Sequence, residues 1–229
     1  MPKTAQTVLI TGGTRGIGRA IAELLAPSHH LLIGGRDAAA VDDLCTQLRS
    51  AAPFAVDLAD EVATTAAAQQ ITELDVVVHS AGVVGHGGTE DLDRSAWRAT
   101  MELNVIAVAD LTRLVLPALR TSRGQVIVIN SGAGLRTGAD MGLYSATKFA
   151  VRAFADALRE EERENGVRVC SIYPGRVDTD MQRQLQGSGA NYDGSIYLRP
   201  ESVAATVELA IELPRDAAVE DLSVRPGPR

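Results

Sequence analysis

Short runs of apolar residues alternate along this chain with longer stretches in which apolar positions recur every three or four residues. Thr7–Ile10, Leu31–Ile33, Phe54–Val56, Asp75–Val78, Gln125–Ile129 and Val167–Ile172 read as strands, with Asp221–Val224 as a last one. Helical spacing covers Arg19–Leu25, Ala38–Leu48, Asp60–Ile71, Ser95–Leu119, Leu143–Arg163 and Glu201–Leu213. The run Val126-Ile127-Val128-Ile129 shows no polar alternation, which marks a strand covered on both faces. Such strands separated by helices predict a parallel sheet, and right-handed crossovers make it doubly wound. The expectation is one α/β domain over residues 1–229, with about seven parallel strands and helices on both faces. A flexible loop is expected at about 182–198, around the Gly-rich stretch Gly187–Gly194, and an irregular tail over 225–229.

Composition narrows the picture. A chain of 229 residues can bury a core large enough to need no disulfide or metal staple. Aromatics make up only 3%, so that core must be packed with Ala, Val, Leu and Ile. The net charge of -7 argues against a nucleic-acid partner. Cys45 and Cys170 fall on different elements and have no metal-ligand spacing, so neither a metal site nor a redox role is expected. Two free thiols suit a reducing cytoplasm. Met1-Pro2-Lys3 leads straight into a strand pattern with no signal-peptide character, and no apolar run approaches the ~18 residues that span a bilayer. The expected location is cytoplasmic, with no membrane partner.

The first strand runs into Thr11-Gly12-Gly13-Thr14-Arg15-Gly16-Ile17-Gly18, and a helix follows at once. In that context glycines let the backbone turn sharply and approach a pyrophosphate, while the helix N-terminus offers free N–H groups. The pattern predicts a Rossmann-type dinucleotide site. Arg15 and Arg36 then point to NADP(H). A carboxylate at the end of the second strand would hold the ribose 2′-OH of NAD, whereas a guanidinium there clasps a 2′-phosphate. Asp37, next to Arg36, is expected to cap the following helix.

Asn130-Ser131 follows the fifth strand, and Tyr144-Ser145-Ala146-Thr147-Lys148 opens the next helix. Tyr144 and Lys148 share a helix face. An ammonium beside a phenol would lower its pKa from ~10, each unit being worth about 1.4 kcal/mol. Ser131 can hold a substrate oxygen near that phenol.

Taken together, the order of these motifs resembles the short-chain dehydrogenase/reductase family over essentially the whole chain. The resemblance implies Ser131, Tyr144 and Lys148 as catalytic residues, with Asn104 organising a water in a proton relay. It implies contacts to the cofactor from Thr11 to Gly18, from Asp57-Leu58 at the adenine ring, and from Pro174-Gly175, Val177 and Thr179 at the nicotinamide end. Ser80-Ala81-Gly82 stands in the segment after the fourth strand. There the family carries Asn-Ala-Gly, and the departure puts local rigidity in doubt. His79 and His86 read as a strand-end and a loop residue rather than as acid–base groups. The implied reaction moves a hydride between NADP(H) and a small carbonyl or alcohol, in a homodimer or homotetramer built on the two long helices.

Two other classes fit the same pattern. One is a non-catalytic NADP-binding protein, and the other is a nucleotide-sugar epimerase or dehydratase of the longer, extended branch. The substrate pocket is expected between 132–143, 83–88 and 177–197, with Leu135, Met141, Gln184 and Tyr192 as candidate lining. None of these dictates a substrate, and the short chain points to a small or exposed one.

Overall fold

The computed structural model of the chain describes residues 5–186 and 192–228. The central part of the expected Gly-rich loop, 187–191, lies outside the described residues. The strands are β1 (Thr7–Ile10), β2 (His30–Gly35), β3 (Ala51–Ala55), β4 (Val76–His79), β5 (Gln125–Ile129), β6 (Arg168–Pro174) and β7 (Asp221–Val224). They form one sheet in the order β3-β2-β1-β4-β5-β6-β7, and every neighbouring pair is parallel. This is the doubly wound arrangement that the alternation of elements predicts. The order reverses beside β1, which opens a crevice at the C-terminal ends of β1 and β4.

The helices are α1 (Gly16–Leu25), α2 (Ala38–Gln47), α3 (Glu61–Ala68), α4 (Arg94–Met101), α5 (Ala107–Ser122), α6 (Gly142–Glu161), α7 (Asp180–Gln186) and α8 (Pro200–Glu212). Successive strand residues serve opposite faces of the sheet. Val8, Ile10, Ile127 and Ile129 pack with Ile21 and Leu25 of α1 and Val203 and Val207 of α8. Leu9, Val77, Val126 and Val128 pack with Leu111 and Val115 of α5 and Val151 and Leu158 of α6. Each such side chain, removed from water, stabilises the fold by ~1.5–3 kcal/mol. On the α1–α8 side, Ala20, Ala22, Ala204 and Ala210 are all buried, and these small residues let the two helices approach each other closely.

Local chemistry sets where the helices start. Asp37, Asp60 and Asp93 each accept a hydrogen bond from the backbone N–H three residues on, capping α2, α3 and α4. The reading of Asp37 as a cap therefore holds. At the far end of α5, the Arg120 guanidinium grips the buried Glu162 carboxylate at 2.6 and 2.9 Å, tying α5 to the end of α6.

Three features depart from the sequence reading. The long helix expected over Ser95–Leu119 is divided: a π turn over Glu102–Ile106 separates α4 from α5. Such a turn inserts one extra residue and rotates the side chains beyond it. The short helix α7 falls where only loop was expected, because its sequence DMQRQLQ is mostly polar and spans two turns at most. Pro53 lies inside β3 opposite Ile33, which an edge strand tolerates because its outer N–H is not needed for pairing. Among the described residues no helix is long and apolar enough to cross a membrane, and no group of His, Cys, Asp and Glu could hold a metal ion. Cys45 and Cys170 are free thiols.

Candidate active site

A cleft of about 690 Å³ runs across the C-terminal ends of β1, β2 and β4. Its floor is backbone. Gly12 has a φ of +64°, and a Cβ placed there would come within 2.9 Å of the Ala81 Cα. A Cβ on Gly18 would collide with the Gly12 carbonyl. Both glycines are therefore required by close approach, one of a loop and one of a helix start. Thr11, Thr14, Arg15, Gly16 and Ile17 line the same cleft, as do Arg36, Asp57, Leu58, Ser80, Ala81, Gly82 and Thr179. The exposed Arg15 and Arg36 have no ion-pair partner among the described residues. The Asp37 carboxylate also borders the cleft, but one of its oxygens is taken by the Ala40 N–H at 3.1 Å. The glycine motif does not point to Val56, Ala40, Leu103 and Met181, which also line the cleft. The positions one or two residues past a strand end are the signal for Val56; Met181 comes from the unexpected helix α7.

The segment after β4 is held from outside. Thr11 Oγ1 accepts from the N–H groups of both Ser80 and Ala81 at 3.0 Å, and donates to the Val78 carbonyl at 3.4 Å. Asn104, buried in the π turn, accepts from Val83 N–H at 2.9 Å and donates to Val83 C=O at 2.8 Å. These clamps supply the rigidity that Ser80 puts in doubt. His79 is buried at the end of β4, with Nε2 2.8 Å from Thr112 Oγ1. Because the Thr112 hydroxyl donates to Val108 C=O at 2.7 Å, His79 Nε2 is the donor in that contact. Burial pushes the His79 pKa down to about 4, so the ring is neutral and structural, as the sequence reading has it. His86 is an exposed loop residue.

The chemical end lies where β5 meets α6. Ser131 follows β5; its N–H is held by Asn130 Oδ1 at 2.8 Å, and its hydroxyl accepts from Ala133 N–H at 3.1 Å. Tyr144 and Lys148 lie one turn apart on the first turns of α6. The Asn130 amide donates to the Lys148 carbonyl at 3.2 Å, locking strand end to helix. Lys148 Nζ sits 5.7 Å from the Tyr144 ring centroid and donates to the Ile129 carbonyl at 3.1 Å.

One expectation needs correction here. The phenol of Tyr144 is not acidified in this structure. Burial pushes its pKa up, and only a hydrogen bond with Ser131 works in the other direction. Lys148 is the group moved toward neutrality: burial takes its pKa down to about 8. The two side chains do converge, but for the phenol the loss of hydration outweighs the hydrogen bond with Ser131. The Asn104 amide donates one N–H to Val83 and the other to Thr147 Oγ1 at 3.1 Å.

Other expected residues lie off the cleft wall. Val177 is buried and bridges to Leu198, while Pro174 ends β6 and Gly175 N–H donates to Val224 C=O at 2.7 Å. Of the substrate-lining candidates, Gln184 borders the nucleotide cleft, and the Tyr192 hydroxyl is committed to Asp178 at 2.8 Å. Leu135 is exposed and Met141 half-buried at the start of α6.

Comparison with known proteins agrees with this geometry. A profile described as short chain dehydrogenase matches residues 6–188. The chain is 35% identical to an uncharacterized short-chain type dehydrogenase/reductase of Sinorhizobium fredii, over 96% of this chain and 91% of that protein. In structure it resembles an alcohol dehydrogenase of the archaeon Thermococcus sibiricus, complexed with 5-hydroxy-NADP (TM-score 0.88, 27% identity, 97% of both chains). It also resembles a short chain dehydrogenase of Burkholderia cenocepacia in complex with NADP (TM-score 0.83, 29% identity, 98% of this chain and 97% of that one).

The neutral His79 makes a prediction about acid stability. Its folded pKa of about 4 lies below the ordinary value of 6.5, so between these limits the unfolded state binds the extra proton. Stability is expected to fall by up to about 3 kcal/mol as pH drops through that window. In urea denaturation from pH 7 to pH 4, His79→Asn should show a shallower loss than wild type. Equal slopes would place the acid-labile group elsewhere.

Proposed function

The chain belongs to the short-chain dehydrogenase/reductase family, and we propose that within it this protein is an NADP(H)-dependent oxidoreductase interconverting a small carbonyl compound and its alcohol. The observation that carries the reading is the convergence of Ser131, Tyr144 and Lys148 at the end of β5 and the start of α6, beside a backbone-floored cleft of about 690 Å³. A pure nucleotide binder has no use for a half-buried phenol set beside a serine and a buried lysine.

The residues present fit a dinucleotide. Gly12 and Gly18 leave no space for side chains where the cleft floor must be approached, and the start of α1 offers unpaired N–H groups for a pyrophosphate. Arg15 and Arg36 would take a 2′-phosphate, and Asp57 and Leu58 the adenine side. Thr179, on the cleft wall, would border the nicotinamide. When bound, the nicotinamide supplies or takes up the hydride. Ser131 would hold the substrate oxygen, and the Tyr144 hydroxyl would give its proton to that oxygen on reduction and take it back on oxidation. Lys148, cationic below about pH 8, would favour the ionised phenol once Tyr144 has released its proton. Asn104 would act as a positioning residue, through Val83 and Thr147.

We place the protein in the cytoplasm, where its free Cys45 and Cys170 would stay reduced. A homodimer or homotetramer would use the α5–α6 side, where Ile106 and Phe149 are exposed. No nucleic-acid, membrane or metal partner enters this reading.

Three measurements test it. With NADPH and a panel of aldehydes and ketones, Tyr144→Phe is expected to lower kcat/KM by at least about 100-fold while NADPH binding persists; undiminished turnover in that variant would sink the assignment. Arg36→Asp should lower the NADPH-to-NADH ratio of kcat/KM at least about tenfold, and an unchanged ratio would remove Arg36 from the 2′-phosphate site. Sedimentation should give a species of at least twice the 24.1 kDa chain mass, and a clean monomer at micromolar concentration would refute the assembly.

A further inference from the structure

The C-terminal tail reaches the chemical end of the molecule. β7 pairs with β6 so that Val224 lies opposite Pro174, and Arg225 follows directly. The Arg225 side chain folds back over the end of the sheet. Its Nη1 donates to Tyr173 C=O at 2.6 Å and to Val224 C=O at 3.0 Å. Its Nη2 comes within 3.2 Å of the place a Cβ on Gly132 would occupy, and its Cδ within 3.4 Å of the equivalent place on Gly175. The guanidinium is thus wedged between two turns, one beginning at Ser131 and the other at Pro174. Gly132 is the residue that follows Ser131, so the guanidinium packs on the turn that carries this serine.

A guanidinium carries five N–H donors, and two of them are accounted for by the bonds from Nη1. Among the described residues the donors on Nε and Nη2 have no protein acceptor, and no carboxylate pairs with Arg225. The side chain is exposed, so a small molecule can reach it. Arg176, exposed one residue past Gly175, also lacks an ion-pair partner among the described residues and adds positive potential to the same turn. In a chain of net charge -7, an anchored and uncompensated cation beside a reacting centre needs an explanation. Its backbone anchors fix the guanidinium before any ligand arrives, and the free edge presents paired donors of the geometry that a carboxylate matches.

We propose that Arg225 is a specificity-determining residue that binds a carboxylate of the substrate, and that the substrate is a short oxo acid or its hydroxy acid, with the carboxylate within a few carbons of the reacting carbon. This rests on the oxidoreductase reading of Ser131 and Tyr144 and narrows it to a substrate class.

The test compares matched acids and esters: acetoacetate with methyl acetoacetate, and levulinate with methyl levulinate, each with NADPH. The wild-type protein should prefer the acids. Arg225→Gln should lower kcat/KM on the acids about tenfold to a hundredfold, mainly through KM, and leave the esters within about twofold. Arg225→Lys, which keeps the charge without the fork, should fall between. Parallel losses on acids and esters, or a wild-type preference for esters, would overturn the proposal and leave Arg225 as a strap for the tail. A second readout needs no turnover: malonate titrated calorimetrically into the NADP-loaded protein should bind the wild type and not Arg225→Gln. Absence of malonate binding to the wild type would defeat the anion site. Binding without turnover of any acid or ester would instead defeat the oxidoreductase reading.

Discussion

One buried amide holds the reacting end of this molecule in register. Asn104 is almost completely buried, yet it makes three bonds to two separate pieces of chain: it grips both the N–H and the C=O of Val83 and donates to Thr147 on α6. An amide left unpaired at that depth would cost about 1–3 kcal/mol for each orphaned group, so the arrangement is effectively all or none. It also accounts for the break between α4 and α5. A regular helix would carry residue 104 past the Val83 loop at a different angle, and the π turn over Glu102–Ile106 adds the residue that turns the amide inward. The helix gives up regular hydrogen bonding at one turn, and in exchange the loop after β4 and the helix bearing Tyr144 and Lys148 are referred to one point.

Most of the architecture was legible because it depends on periodicity. Strands such as β5 are apolar on both faces since both faces are covered, and that pattern survives any detail of packing. Asp37 could be read as a cap because capping is decided within four residues. The π turn could not, because one inserted residue barely disturbs a 3.6-residue repeat. Helix α7 escaped because it has one buried residue, Gln182, and no apolar stripe. At the site, the glycines were legible since their role is steric exclusion. The direction of the Tyr144 shift was not, since it turns on hydration lost against a hydrogen bond with Ser131, while the ammonium's own bond goes to a backbone carbonyl. Residue identity names the contestants, but only distances decide the winner.

The same contest places Lys148 in an unusual position for a lysine. Burial brings its pKa to about 8, close enough to neutrality that its charge becomes a variable of the site. Its bond to the Ile129 carbonyl, together with the bond from Asn130 to its own carbonyl, fixes it against the end of β5. Ser131 leaves the same strand end, so the serine, the lysine and the tyrosine share one rigid reference. The relative placement of Ser131, Tyr144 and Lys148 is thus carried by backbone carbonyls and amide side chains, not by ion pairs.

Pro53 has a consequence for how copies of the chain can meet. It sits within β3, the strand that terminates one side of the sheet, and contributes no hydrogen to that margin. The opposite margin is β7, only four residues long, and Pro226 stands two residues past its end. A stray peptide seeking to continue the ladder finds a gap in the donors on one side and a short template on the other, and cross-β stacking of native molecules is discouraged from both flanks.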